Sequence, residues 1–336
     1  MKITIIIDDI LSLGGSQSFA INLSNYLLSL GYQIQLISLK RINNNEKGFN
    51  FDVVSLNLES NFLILFNQKK IKSLTKDSDV ILNVSGQTFM YFSLIGFNEK
   101  YIFRESNQPL DRINSFSFFK KKISTYLYKK FLQKKPNLVL QNHIALNQVK
   151  KIYKSNISHR VLFNPCFFQP KKNNTQRIYD LVFASRPTNA KGFDRFLKLM
   201  NYSKHGCIYL GSSHSKLKNS KNIRSFGRVE NVIDFLSKSK ILLLLSRYEG
   251  FPNIFHEAIV SGCNIILSKE LEWIKNEIPF CKKLVHVVSA DDPHMLEAKV
   301  EDILSAPKDV GHSLHINQYL DNFSVDTYWK KLINEV

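Results

Sequence analysis

At 336 residues, 44% hydrophobic and 22% charged, the chain can hold two domains of ordinary size with full cores, and general disorder is not expected. No segment approaches ~18 uninterrupted apolar residues, so no transmembrane helix is expected. The start MKITIIIDDILSLGG has too short an apolar stretch, with acids directly after it, for a secretory signal. The net charge of +18 is regional: residues 1–111 balance ten Lys/Arg against ten Asp/Glu, 112–179 hold fifteen and no acid, and 180–336 carry only +3. Such a block suggests a surface with an anionic partner. Cys166, Cys207, Cys263 and Cys281 are widely spaced, without C-x-x-C or His at metal spacing, which points to a reduced cytosolic protein without structural zinc.

In chain order, residues 3–7 read as a buried strand, 8–15 as a loop, and 16–30 as a helix whose Phe19, Leu23, Tyr26, Leu27 and Leu30 follow a helical period. Gly31 ends it and 33–39 is the next strand. Gly14-Gly15 stands at the turn of this βαβ start. It is not G-x-G-x-x-G, and no acid near 35–40 could grip a ribose, so a dinucleotide site is not expected; a tight turn is the plainer account. Residues 53–56 and 80–84 extend the sheet, the latter followed by Ser85-Gly86-Gln87-Thr88. The short strand 101–103 ends in Arg104-Glu105-Ser106-Asn107-Gln108-Pro109. Charged and amide groups there suit a ligand-facing edge; the alternative is a loop closed by an Arg104–Glu105 salt bridge.

The basic block opens with SFSFFKKKISTYLYKKFLQKKP. Phe116, Phe119, Ile123, Tyr126, Leu127 and Phe131 recur at helical spacing, crowded by Lys120, Lys121, Lys122, Lys129, Lys130, Lys134 and Lys135. A helix of this kind can lie on an anionic bilayer, although a packed helix with a solvated lysine face has the same composition. No recognition element for nucleic acid accompanies the charge. Residues 138–140 are a strand, Gln141-Asn142 starts a helix, and QPKKNNTQR has linker composition.

After the linker, 179–184 is a strand whose loop places Arg186 and Lys191 before a helix from about Phe193. Cations at a helix start make an anion site, or else are solvated loop charges. Residues 207–210 and 223–226 are strands, Gly227-Arg228-Val229 precede a helix over 232–236, and a strand at 285–288 and a helix over 291–304 follow the central segment. That segment, KILLLLSRYEGFPNIFHEAIVSGCNIILS, reads as buried strand, polar loop, helix and strand. Its loop therefore falls at the carboxyl edge of a parallel sheet, where such sheets bind ligands. Glu249 reaches that edge from the loop and Glu257 from near one turn into the helix. The N–H groups of Gly250, Phe251 and Asn253 lie at the helix's positive end. A lone pair of acids would be read as solvated helix-start groups.

The words EGFPN and HEA around them change that. The segment resembles the E-x7-E signature of family-4 retaining glycosyltransferases. GGSQSFAINLSNYLLSLGY is similar to that family's amino-terminal glycine segment, RESNQP to its "S-E-R/H-N-x-P" loop, Asn164-Pro165 to its "I-P-N-P", and Arg186…Lys191-Gly192 to its "G-R…K-G". Ser106 stands where many relatives have histidine. The resemblance implies an α/β, GT-B architecture of two Rossmann-like domains facing a central cleft. On this sequence they are 1–168 on the acceptor side, 169–322 binding the nucleotide sugar, and a terminal helix in 323–336 crossing back.

The resemblance also implies roles. Arg186 and Lys191 would neutralise the departing diphosphate in place of a metal, so no metal and no cofactor are expected, with a nucleotide sugar, UDP-linked, as substrate. Glu249, with the amides of Gly250, Phe251 and Asn253, would contact the donor sugar. Glu257 would hold the ribose, Val229 the base through main-chain groups, and Gly15 would approach the donor. Glu105, Ser106 and Asn107 would face a glycan acceptor. The basic block suggests that the acceptor is lipid-linked, with Lys120, Lys121, Lys122, Lys129 and Lys130 on the anionic inner face of the membrane. The enzyme would then be a cytoplasmic, peripheral hexosyl- or N-acetylhexosaminyltransferase of surface polysaccharide synthesis. An epimerase-like GT-B protein or a non-catalytic anionic-surface binder are the alternatives, separated by donor turnover with and without acceptor.

Overall fold

The computed structural model describes residues 1–12, 14–40, 48–155, 157–169, 176–217, 221–278, 283–306 and 312–333. The chain divides into two compact units, Met1–Pro165 with Val325–Val336, and Cys166–Ser324. The linker composition puts the first break at 168, and the terminal helix puts the return at 323, three residues later and two earlier than these bounds.

The first unit is built on β1 (Lys2–Ile7), β2 (Gln33–Ser38), β3 (Asp52–Ser55), β4 (Val80–Asn83), β5 (Tyr101–Glu105), β6 (Asn137–Leu140) and β7 (His159–Val161). They form one parallel sheet in the order β3-β2-β1-β4-β5-β6-β7. The near-continuous apolar runs, such as Ile3, Ile5, Ile6 and Ile7, are fully buried, as both-sided coverage by helices requires. Those helices are α1 (Gly15–Ser29), α2 (Gln68–Thr75), α3 (Phe89–Ile95), α4 (Pro109–Asn114), α5 (Phe118–Gln133) and α6 (His143–Ile152). Asn142 caps α6 by accepting from Ala145 N at 2.7 Å. The core is aromatic: Phe103 meets Phe89, Phe92 and Phe131 at ring separations of 5.3, 5.5 and 4.8 Å.

The second unit repeats the plan with β8 (Tyr179–Ala184), β9 (Cys207–Leu210), β10 (Ile223–Gly227), β11 (Ser239–Leu244), β12 (Asn264–Ser268) and β13 (Val285–Val288), ordered β10-β9-β8-β11-β12-β13 and all parallel. Its helices are α7 (Phe193–Tyr202), α8 (Val232–Leu236), α9 (Asn253–Val260), α10 (Glu272–Glu277), α11 (Pro293–Ser305) and α12 (His312–Phe323). In both sheets the strand order reverses, between β1 and β4 and between β8 and β11. Ligands bind outside the carboxyl ends of strands at such reversals.

The terminal helix expected from 323 begins at Val325, with α12 ending just before it at Phe323. Ser324 pairs with Cys166, and α13 (Val325–Ile333) then packs in the first unit, with Tyr328 5.7 Å from Phe19 and Arg160 donating to Leu332 O at 2.7 Å. Cys166, Cys207 and Cys263 are buried free thiols; burial raises Cys166 and Cys263 to about 12 and pushes Cys207 well above the ordinary thiol value; Cys281 lies outside the described residues.

Candidate active site

At the second reversal, the loops after β8 and β11 are latched together. Gly192 has φ +73°, and a Cβ there would lie 2.1 Å from Leu245 O. Only glycine lets the β8 loop come this close to the end of β11. The approach is held by Arg247 N donating to Ala190 O at 2.9 Å. The Arg247 guanidinium also makes a two-pronged contact with Asp194, 2.8 Å to each oxygen. In consequence Lys191 Nζ donates to both oxygens of Glu249, at 2.6 and 2.7 Å, and Ser246 Oγ donates to Oε1 at 2.7 Å. Ser246 is itself held by Ser268 Oγ donating to its carbonyl at 2.6 Å. Sequence spacing alone does not show that Lys191 and Glu249, 58 residues apart, are one ion pair.

Glu257 lies near one turn into α9, half-buried, and its carboxylate has no hydrogen-bond or ion-pair partner among the described residues. Burial pushes it up to about 7 from an ordinary value of 4.5. The loop before it is anchored by Phe251. This side chain is buried against His256 at 4.8 Å and Trp273 at 6.2 Å, so only its main chain is available to a ligand. His256 in turn shares a 2.6 Å hydrogen bond with Tyr319 of α12. Gly250 is buried and Asn253 half-buried as the first helical residue. Arg186 is exposed on the β8 loop, and its side chain has no partner among the described residues. Val229 is half-buried just beyond β10.

In the first unit, Gly15 is exposed as the first residue of α1. The Arg104–Glu105 salt bridge does not form, because adjacent residues of β5 point to opposite faces. Arg104 is buried, donates to Asn164 Oδ1, and stacks over the Phe19 ring at 3.7 Å. Glu105 is fully buried and takes a two-pronged contact from Arg112 at 3.0 and 2.9 Å, with Tyr128 Oη at 3.1 Å. The β4 loop runs so close to this pair that a Cβ on Gly86 would lie 2.2 Å from Glu105 Oε1. The Glu105 carboxylate is thus part of the fold, while Ser106 is half-buried and Asn107 exposed.

Helix α5 turns differently from its sequence period. Ser124, Tyr128, Phe131 and Leu132 face the core. Phe118, Phe119, Ile123 and Tyr126 are 56–78% exposed and share the outer face with the exposed Lys120, Lys121, Lys122, Lys129 and Lys130. Lys122 Nζ sits 4.4 Å over Phe118 and Lys130 Nζ 4.9 Å over Tyr126.

Two features had no sequence signal. Arg195 of α7, with a side chain 2% exposed, donates to both oxygens of Asp291 at 2.8 Å, to Glu270, and to Leu245 O at 3.0 Å. His205, Glu297 and Glu301 bring three potential metal-ligand atoms within 4.8 Å of one another, with Lys204 pairing Glu301 at 2.8 Å. His205 lies two residues before the start of β9, so this group belongs to the amino ends of the strands, opposite the edge that carries Lys191 and Glu249.

Residues 167–317 match the family model for Glycosyl transferases group 1. That match lies within the second unit, and the chain is a nucleotide-sugar-dependent hexosyltransferase. The transferase is similar, at 24% identity over 345 residues covering 85% of this chain and 92% of the other, to a GalNAc-alpha-(1->4)-GalNAc-alpha-(1->3)-diNAcBac-PP-undecaprenol alpha-1,4-N-acetyl-D-galactosaminyltransferase of Campylobacter jejuni subsp. jejuni serotype O:2. Its fold is similar to that of sucrose-phosphate synthase from Thermosynechococcus elongatus, with TM-score 0.76, 14% identity and coverage of 99% and 96% of the two chains. It is also similar to Anabaena HepE in complex with UDP and glucose, with TM-score 0.75, 12% identity and coverage of 100% and 99%. The two parallel-sheet units are those of the GT-B fold.

Proposed function

We propose that the transferase moves a hexose or N-acetylhexosamine from a UDP-linked donor to a lipid-linked glycan, with retention at the anomeric carbon, in surface polysaccharide synthesis at the cytoplasmic face of the membrane. The observation that carries this reading is the meeting of Lys191, Glu249 and the amino end of α9 at one sheet reversal, with Glu257 on the same helix lacking a hydrogen-bond or ion-pair partner among the described residues. The ribose hydroxyls would donate to Glu257, which binding would convert to its charged form. The amides of Gly250, Phe251 and Asn253, with Glu249, would meet the sugar, and Val229 the base. Arg186 and Lys191 would supply positive charge to the diphosphate as its bond to the sugar breaks, the kind of stabilisation that is largest in a dry, preorganised site. The acceptor oxygen would form the new bond on the same face and pass its proton to the departing phosphate oxygen. Ser106 and Asn107 would meet the acceptor, and Gly15 would leave room for the donor.

The lipid-linked acceptor rests on the Campylobacter relative, whose name carries an undecaprenol-linked substrate, and on the outer face of α5, where aromatic groups and lysines share one surface. Rings of this kind suit the headgroup boundary and lysines its anionic charge. The test supplies UDP-GalNAc, UDP-GlcNAc, UDP-Gal and UDP-Glc singly, with an undecaprenyl-diphosphate-linked glycan. One donor is expected to give an α-linked product by NMR. A β-linked product overturns retention, and isomerised nucleotide sugar formed without acceptor overturns transfer.

A further inference from the structure

We propose that Arg195 is a positioning residue for transfer, setting the Lys191–Glu249 pair from beneath without touching substrate. The inference rests on reading that pair as part of the transfer site. Arg195 lies four residues after Lys191, in the first turn of α7, and its guanidinium reaches the segments that follow three strands. It donates to Leu245 O after β11, to Glu270 after β12, and to both oxygens of Asp291 after β13. Leu245 is the decisive contact. Its carbonyl is the atom that Gly192 approaches, and the next residue, Ser246, donates to Glu249 at 2.7 Å. A rotation of that peptide therefore moves both the Ser246 hydroxyl and the floor under Lys191.

Neighbouring Asp194 grips Arg247 of the same β11 loop, so two consecutive side chains of α7 hold the loop at two points. Burial opposes the Arg195 charge, yet its contacts with Asp291 and Glu270 outweigh this and raise its pKa; Arg195 in turn lowers that of Asp291. A buried ionic cluster is a weak stabiliser compared with apolar packing, whereas a planar fork with fixed donors defines loop geometry to a fraction of an ångström.

The experiment measures kcat and donor KM for the full chain with the UDP-sugar it turns over, for Arg195→Lys, Glu249→Gln and the double variant, each corrected for folded fraction by circular dichroism. Since displacement of a site by about 1 Å can cost about a hundredfold, Arg195→Lys is expected to lower kcat by about ten- to a hundredfold. Donor KM is expected to change by less than about threefold. Once Glu249→Gln has removed the pair, adding Arg195→Lys should cost much less than it does alone. Asp291→Asn, on a side chain 66% exposed, keeps the protein folded and is expected to show the same kcat loss in smaller measure. Wild-type kcat per folded molecule in both Arg195→Lys and Asp291→Asn, or losses that simply multiply in the double variant, overturns the proposal. Wild-type turnover by Glu249→Gln instead removes the transfer-site reading, and the role of Arg195 with it.

Discussion

The two units carry the same sheet topology but treat charge at the carboxyl edge in opposite ways. In the first, Glu105 and Arg112 are closed on each other and on Tyr128, with Gly86 pressed against them. In the second, Glu257 is desolvated without a partner among the described residues, Arg186 is exposed, and Lys191 and Glu249 pair where the lysine side chain keeps 26% of its exposure. A shared topology thus specifies where a site can be, and side-chain electrostatics decide which edge is prepared for an anionic, hydroxyl-rich ligand. The segment matched by the glycosyl transferase model covers the second edge and not the first.

The comparison breaks most readily at Arg112. Arg112→Met leaves Glu105 as an uncompensated buried charge, so stability should fall by about 3–5 kcal/mol, read by chemical denaturation. An unchanged midpoint would show that the first edge is not held by this pair. A smaller effect is expected at Glu257. Losing a charged hydrogen-bond partner costs about 1.5–3 kcal/mol, so Glu257→Gln should raise donor KM by about ten- to a hundredfold.

The same residue gives a pH signature. Its folded value of about 7 lies above the ordinary 4.5, so the folded state holds the proton more tightly than the unfolded one. The ligand-free protein should therefore lose stability as pH rises from 4.5 to 7, and Glu257→Gln should remove that slope. Donor affinity should rise over the same upper range, because ribose hydroxyls favour the carboxylate. Identical pH slopes for wild type and variant would contradict this. The smallest effects belong to α5: each of Lys120, Lys121, Lys122, Lys129 and Lys130 changed to Gln should weaken sedimentation with phosphatidylglycerol vesicles by about 1 kcal/mol. Equal pelleting of wild type with phosphatidylcholine vesicles would remove the anionic-surface reading.

Much of the fold was legible because buried parallel strands leave short apolar runs bounded by polar loops, as in residues 3–7 and 241–245. Helix α3 was missed for the same reason that the strands were found. FMYFSLI is buried on nearly all sides, which erases the helical period. The apolar series of α5 divides instead: Phe119, Ile123 and Tyr126 point outward, while Phe131 of the same series is buried. In the site, the EGFPN and HEA words marked the α9 end, but long-range pairings have no local signal. The Lys191–Glu249 and Arg247–Asp194 pairs, and the reach of Arg195, join residues from separate βα units and exist only once the β8 and β11 loops meet.

Steady-state transfer by Lys191→Ala, at matched folded fraction and saturating acceptor, tests the central claim most directly. Removing a preorganised donor at developing negative charge typically costs 10²–10³ in rate, and a loss of about that size in kcat, with the protein still folded, is predicted. Turnover within about threefold of wild type would contradict the assignment of the second sheet's reversal as the place where the sugar leaves its nucleotide.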